Sequence, residues 1–482
     1  MYRNELDRSR RLNQKHLQQI AAFYDQAPYP AAWASRQYRK TLARYYQLMI
    51  PPSAKVLEVG CGSGDLLAQL PNSDISGVDV SRVQIERARQ RLPNGKFYVA
   101  AGEELNLEEK FDIIILADTI NYAADVQQLF SRLRCIAHPG ARLLLNFYNS
   151  LWVPLLSIGT AMGLKSKSPQ NNWLSPADVT TLLDLAGWQL IKRHPRILLP
   201  VPFFGLQHPI NRFLAPLLPW FCLTLFYVAR PLPARGTDVS QLTRPSVSVV
   251  IPARNEAGNI EEAVRRVSSL SPDLEIIFVE GHSTDNTWEE IQRAIKNFPH
   301  TAVKALKQTG TGKANAVREA FAIAKNEILM ILDADLTVPP EELPKFYDVL
   351  VSGMGEFVNG VRLVYPMEGK AMRFLNLCGN KAFSVAFTWV LDQPIKDTLC
   401  GTKVLWREDY DKIARNRPFF GEFDPFGDYD LLFGASRMNL KIVDLPIRYR
   451  ERVYGNTNIH RWRHGWLLLK MVAFAARKIK FV

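Results

Sequence analysis

Two short apolar runs, Val56–Val59 and Ile328–Leu332, each pass directly into a chemically loaded turn: Glu58-Val-Gly60-Cys-Gly62-Ser-Gly64 in one case and Asp333-Ala-Asp335 in the other. A buried strand that delivers glycines or carboxylates at its end, with helical periodicity beyond, commits the surrounding chain to an open α/β sheet with a site at the strand's carboxyl edge. Two such runs, far apart in one chain, imply two sheets. The length agrees, because 482 residues exceed what one hydrophobic core ordinarily supports.

The periodicity around each run fills in the organisation. Residues 5–48 read as helical up to Pro51-Pro52. Strand candidates Ile75–Val80, Lys96–Val99, Asp112–Ala117 and Arg142–Phe147 then alternate with helices Ser81–Arg91 and Asp125–Ala137, and Ser175–Ala186 forms a further helix. A second series combines strands Val247–Ile251, Glu275–Val279 and Ile328–Leu332 with helices Ile260–Ser269, Thr287–Asn297 and Lys313–Lys325. Between them, Arg230–Arg244 is rich in proline and polar residues, which suits a linker. The expected fold class is α/β, with two Rossmann-like doubly wound domains in tandem: 1–235, a linker at 236–244, and 245–482.

Sixty basic against 47 acidic residues leave a net charge of +13, an excess that favours an anionic partner: nucleic acid, a phosphorylated substrate or anionic lipid. No RNA-binding motif accompanies the charge, so nucleic acid is set aside as a partner. The five cysteines are scattered without a paired zinc spacing, and the N-terminus is polar where a signal peptide needs an apolar core. These features suit the cytoplasm.

The glycines of the first turn let backbone approach a nucleotide-like ligand. Asp79, about twenty residues on at the next strand's end, can accept both hydrogen bonds of a ribose diol. Glu58, preceding the turn, suits a cationic ligand better than a pyrophosphate. VLEVGCGSGDLL, GVDVS and LADTINYAADVQQLFSRLRCIAHPGARLLLNFYN resemble the class I methyltransferases over most of residues 20–230. The resemblance implies S-adenosylmethionine as cofactor, with Glu58, Gly60, Gly62 and Gly64 around its methionine moiety, Asp79 on the ribose and Asp118 lining the pocket. Where many relatives hold adenine with an aspartate this chain has Ala101, so Glu103 is expected to substitute. Asp118-Thr-Ile-Asn-Tyr122 replaces the motif of enzymes that methylate amino groups of bases.

In the second half, two carboxylates one residue apart suit Mg2+ or Mn2+, with water and diphosphate oxygens filling the other positions. VSVVIPARNEAGNIEEAV, IIFVEGHSTDNTWEEI, the glycine-lysine segment at Lys313 and DADLTVPPEELPKF resemble, in order, family 2 glycosyltransferases of the GT-A fold, most closely the dolichol- and polyprenyl-phosphate branch. That likeness implies a nucleotide-sugar bound by Pro252, Arg254, Asn255, Glu256, Glu280 and Arg452. It also implies Lys313 beside the diphosphate, Asp333 and Asp335 on the metal, and Asp285 capping a helix. Arg362, Arg373 and Asp397 read equally as substrate contacts or structural ion pairs. Inversion is expected, with Asp335 and Asp428 as catalytic residues and Asp430 the alternative base; a lipid phosphate acceptor would need no base.

Two apolar stretches bear on the acceptor, which is expected to be polyprenyl phosphate or a glycolipid. Phe213–Ala229 reads as a membrane-facing insertion leading into a last strand, or as buried core; Trp462–Val482 mixes apolar anchors with Arg477, Lys478 and Lys480, as an interfacial helix on an anionic leaflet would. The leading expectation is a bifunctional transferase, peripheral at the inner face of the cell membrane. The alternatives are a glycosyltransferase carrying a non-catalytic binding or docking module, and a nucleic-acid methyltransferase.

Overall fold

A computed structural model describes residues 2–26, 33–169, 172–233, 244–271, 273–365, 374–419, 429–452, 454 and 461–482. The chain divides into two compact units, separated in sequence between Leu232 and Pro233. Of the expected linker 236–244, all but Arg244 lies outside the described residues.

In the first unit, β1 (Val56–Val59), β2 (Ile75–Asp79), β3 (Lys96–Val99), β4 (Phe111–Ala117), β5 (Ala137–Tyr148), β6 (Trp188–Arg196) and β7 (Thr224–Pro231) form one sheet ordered 3-2-1-4-5-7-6. The period of two decides how it is covered. Leu57 and Val59 enter the core on one face with Phe130 and Trp188, while Val56 enters the other with Tyr46 and Ile85. The order reverses between β1 and β4, so the crevice at their carboxyl ends is the topological switch point where an open α/β sheet binds ligands. The helical stretch near the start is two helices, Tyr2–Asp25 and Trp33–Met49.

The sheet is mixed, not wholly parallel. β7 runs antiparallel to both β5 and β6, because adjacent antiparallel strands need no helix crossing the sheet to join them. Residues 197–223 make that connection and cut the apolar run Phe213–Ala229 in two. Thr224–Ala229 is buried strand, while Phe213, Leu217, Trp220 and Phe221 lie exposed on the connection.

The second unit contains β8 (Val247–Ala253), β9 (Leu274–Glu280), β10 (Ala302–Lys307), β11 (Ile328–Ile331), β12 (Phe357–Val361), β13 (Lys403–Trp406) and β14 (Ile442–Pro446), ordered 10-9-8-11-13-12-14. β8 to β11 are parallel, and β13 is antiparallel to β11 and β12. β8 and β11 pair in register from Val247 with Ile328 to Val250 with Ile331, which sets Arg254–Glu256 and Asp333–Asp335 at one sheet edge. The helix Arg461–Ala475 spends Leu468 and Met471 on the interior and leaves Trp466 and Leu469 exposed, so its apolar residues are divided between packing and solvent. Among the described residues no helix is long and apolar enough to cross a membrane.

Candidate active sites

At the carboxyl edge of β1 the first unit encloses a cavity of about 680 Å³, lined among others by Glu58, Gly60, Gly62, Asp79, Glu103 and Asp118. Gly60 has φ +79°, and a Cβ there would stand 2.5 Å from Thr119 Oγ1, so both conformation and space demand glycine. Asp79 anchors the turn: one carboxylate oxygen accepts the Gly62 N–H and the other the Ser81 N–H, each at 2.8 Å.

Glu58 is buried, and its Oε2 has no hydrogen-bond partner. Burial, reinforced by Asp79 and Asp65, pushes its carboxyl well above the ordinary range. A buried acceptor without a donor is costly, and a cationic amine or sulfonium would relieve both the missing bond and the charge. The residues therefore fit S-adenosylmethionine: an acid for its cationic end, a carboxylate in place for a diol, and a cavity of ligand size. Glu103 is buried and accepts the Ala124 N–H at 2.7 Å, so part of its capacity goes into holding that loop.

In the second unit Asp333 pairs with Lys313 at 2.5 Å, and Asp335 with Arg452 at 2.6 Å. Arg452 bridges on to Glu256 at 3.1 Å, joining the β8 and β11 edges through a residue distant in sequence. Burial would raise the Asp333 carboxyl, but Lys313, then Lys403 and Arg362, outweigh it and hold it below the usual range. Burial pushes Glu256 up to about 7 despite Arg452 and Asn259. A Cβ at Gly401 would fall 2.2 Å from both Asp333 Oδ2 and Lys313 Nζ, so a larger residue just before β13 would have to displace the pair.

The β8 and β9 loops are laced together. Asn255 accepts from the Thr284 N–H at 2.8 Å, and Asp285 from the Thr287 N–H at 3.1 Å and the Ala257 N–H at 3.4 Å. Glu280 is buried and accepts from the Ser283 amide, while Pro252 is half-buried and Arg254 exposed beside them. Asn255, His282 and Leu336 all have positive φ, 57°, 58° and 51°, strain of the kind that persists where structure over-determines it at functional edges. Two carboxylates, each matched by a cation, suit a divalent ion shared with a diphosphate. Among the described residues no group of three or more His, Cys, Asp or Glu converges on a metal, so substrate and water would complete the shell.

The family described as methyltransferase domain matches residues 50–186, and glycosyl transferase family 2 matches residues 248–413. The chain joins a methyltransferase domain to a family 2 glycosyltransferase domain. The glycosyltransferase domain is similar to a dolichol-phosphate mannosyltransferase of Pyrococcus furiosus, 27% identical over 49% of this chain and 67% of that one. It is also similar to a dolichyl-phosphate hexose transferase of Haloferax volcanii, 26% identical over 48% of this chain and 95% of that one. A Pyrobaculum calidifontis mannosyltransferase solved with GDP-Man and Mn2+ is 25% identical, covering 49% of this chain and 65% of its own, with a TM-score of 0.37. For the methyltransferase domain, a TehB-like S-adenosylmethionine-dependent methyltransferase of Corynebacterium glutamicum is 17% identical, covering 41% of this chain and 95% of its own, with a TM-score of 0.29.

Not every expected residue reaches a site in the glycosyltransferase domain. Asp397 is fully buried; it takes the Arg362 Nε at 2.7 Å and Nη2 at 2.9 Å, Asn380 at 2.8 Å and the Leu399 amide at 3.0 Å. With its acceptors filled it is a structural clamp on Arg362, not a ligand contact, and Arg362 is spent on the same pair. Asp430, the alternative base, is buried and paired through one oxygen with Arg318 at 2.9 Å and Arg417 at 3.3 Å. Asp428 and Arg373 lie outside the described residues. In the methyltransferase domain, the partners of Asp118, namely Tyr38, Asn146 and Tyr148, had no motif to mark them.

Proposed function

We propose that the chain is a bifunctional transferase that moves a methyl group from S-adenosylmethionine and, with inversion, a sugar from a nucleotide-sugar to polyprenyl phosphate or a related glycolipid. The reading is carried by the double pairing of Asp333 with Lys313 and Asp335 with Arg452 at one sheet edge, which gathers the carboxylates for a cation and the cations for a diphosphate in one place. Asp333 and Asp335 would hold Mg2+ or Mn2+, which would neutralise charge on the departing diphosphate. Lys313, at the start of its helix, and Arg452 would release their carboxylates and turn to phosphate oxygens. A phosphate acceptor is already anionic, so this site would need no base. The similarity to a dolichol-phosphate mannosyltransferase and a dolichyl-phosphate hexose transferase supports that acceptor class.

Such an acceptor lives in a membrane, and the methyltransferase domain has a surface suited to one. Residues 149–164 and 199–222 are tied together where the Asn149 amide and the Trp152 indole donate to the Trp220 and Phe221 carbonyls, both at 2.8 Å. Together they expose Phe204 at 90%, Trp220 at 77% and Met162 at 68%, with Leu151, Leu155 and Ile158, large apolar side chains of the kind that mark interaction surfaces when they gather. The helix Trp33–Met49 meets the chain just after the first segment, through Ser35 to the Ser166 amide, and the second segment, through Thr41 to Gln207, each at 3.1 Å. It carries exposed Arg36, Lys40 and Arg44 at helical spacing, which complements an anionic leaflet. We place the enzyme peripherally at the cytoplasmic face.

Incubation with UDP-, GDP- and dTDP-sugars, polyprenyl phosphate and Mg2+ or Mn2+ is expected to release nucleoside diphosphate only when the lipid phosphate is present. Release that is lipid-independent, or undiminished in EDTA, would count against the acceptor or the metal respectively.

A further inference from the structure

The methyltransferase cavity holds more chemistry than a methyl donor requires. Beyond Glu58, the glycine turn and Asp79, its wall includes Tyr24, Tyr38, Asp118, Tyr122, Tyr148 and Lys165. Asp118 directly follows β4 in the left-handed region, φ 57°, a strained conformation for a non-glycine residue. Its Oδ1 accepts the Tyr38 hydroxyl at 3.1 Å and the Asn146 amide; its Oδ2 accepts the Tyr148 hydroxyl at 3.3 Å. Those donors are themselves fixed, since Tyr38 also meets Thr224 Oγ1 at 3.2 Å and the Tyr46 hydroxyl donates to Asn146 Oδ1 at 2.7 Å.

A contrast within the same chain separates this carboxylate from structural ones. Asp397 and Asp430 are buried against arginines, as buried charges ordinarily are. Asp118 forms no ion pair among the described residues; it is ringed by neutral donors, reaches the cavity, and on Oδ2 has a single long hydrogen bond. That arrangement holds a carboxylate in place while leaving it able to accept a proton.

We propose that Asp118 is the general base of methyl transfer, taking the proton from an uncharged hydroxyl acceptor of the kind a glycosyl product carries, with Tyr38 and Tyr148 as positioning residues. The proposal rests on the methyltransferase reading and adds the acceptor class. The acceptor O–H bond breaks with its proton passing to Asp118 Oδ2, a C–O bond forms to the donor methyl, and the S–CH3 bond breaks with its electron pair going to sulfur. The products are a methyl ether and neutral S-adenosylhomocysteine, and the proton leaves Asp118 to solvent. Burial pushes the Asp118 carboxyl up to about 6, against hydrogen bonds from Tyr38, Asn146 and Tyr148 and the charge of Arg39. A base in that range works near neutral pH. The other titratable groups facing it are Tyr46, Tyr122 and Lys165, whose ammonium is lowered by burial and raised by Asp118.

The test uses the full chain, S-adenosylmethionine labelled in the methyl group, and two acceptor sets: hexosides with their polyprenyl-phosphate-linked forms, and the matching amino sugars. Donor affinity is measured separately by calorimetry. Label should enter hydroxyl acceptors as an alkali-stable ether, with a rate that is lost as pH falls through about 6. Asp118→Asn should cut transfer a hundredfold or more while donor affinity stays within about threefold. Tyr148→Phe, which removes a donor that lowers the carboxyl, should move the acid limb upward while keeping most of the plateau rate. Label on amines alone or on no hydroxyl, an Asp118→Asn enzyme of near wild-type rate, or an acid limb unmoved in Tyr148→Phe would overturn the proposal. Failure of the unaltered chain to bind the donor would instead remove the methyltransferase reading beneath it.

Discussion

Glu58 and Asp397 show opposite outcomes of burying a carboxylate. Glu58 is pushed up by burial and by Asp79 and Asp65, which outweigh the charge of Arg39, so a ligand bearing positive charge should draw it back to the ionised form. Donor binding is therefore expected to release a proton, and affinity to rise with pH across the range below the free protein's Glu58 pKa. Calorimetry in two buffers of different ionisation enthalpy measures this, and Glu58→Gln should weaken binding about ten- to a hundredfold, the worth of a charge-assisted hydrogen bond. No proton release and an unchanged Gln variant would show that Glu58 does not meet the cation. Asp397 is the reverse: burial alone would raise it, but Arg362 holds it well below the carboxylate range. A depressed folded pKa stabilises above the unfolded value of about 3.9 and is lost as pH falls below it. Asp397→Ala, which strands a buried guanidinium, should cost about 3–5 kcal/mol and flatten the acid limb of stability. Chemical denaturation between pH 3 and 7 would reveal either effect, and a change under 1 kcal/mol would mean that the clamp is dispensable.

Elements explain what was readable in the sequence. Strands such as Lys96–Val99 and the helix Thr287–Asn297 fall where periodicity put them, because each buries one face on a local pattern. Local pattern is silent on long-range pairing. That Arg452 reaches across to Asp335 and Glu256, or that Tyr38 and Tyr148 converge on Asp118, depends on sheet order and helix docking. Arg362 and Asp397 could be named as charged candidates, yet their mutual pairing became visible only once β12 was placed. The apolar run from Phe213 was ambiguous for a like reason: composition does not say where a strand begins, and here it begins at Thr224. The exposed remainder carries its own prediction. Phe204→Ser with Trp220→Ser should lower recovery on anionic vesicles severalfold without moving the thermal transition, since both side chains are largely in solvent. Vesicle co-sedimentation unchanged by the pair would leave the patch without a lipid role.

At the scale of the whole molecule, each unit has its own sheet, its own core and its own set of charged or glycine-rich strand ends. If the two chemistries belong to separately folded domains, a lesion in one site should leave the other's ligand binding untouched. Asp335→Ala removes one carboxylate of the pair and one of the two carboxylates that Arg452 bridges. Glycosyl transfer should drop a hundredfold or more, because the lost interaction is one that would strengthen as diphosphate charge develops. Gly60→Arg is the converse lesion, since even a Cβ there would collide with Thr119, and it should abolish S-adenosylmethionine binding. Each variant is assayed for both properties. The expected pattern is a clean crossover: Asp335→Ala with unaltered donor affinity, and Gly60→Arg with unaltered nucleotide release from the sugar donor. If Gly60→Arg also silenced glycosyl transfer in a chain whose second unit still melted normally, the two reactions would have to be coupled, and the picture of independent domains would give way to one in which the first site licenses the second.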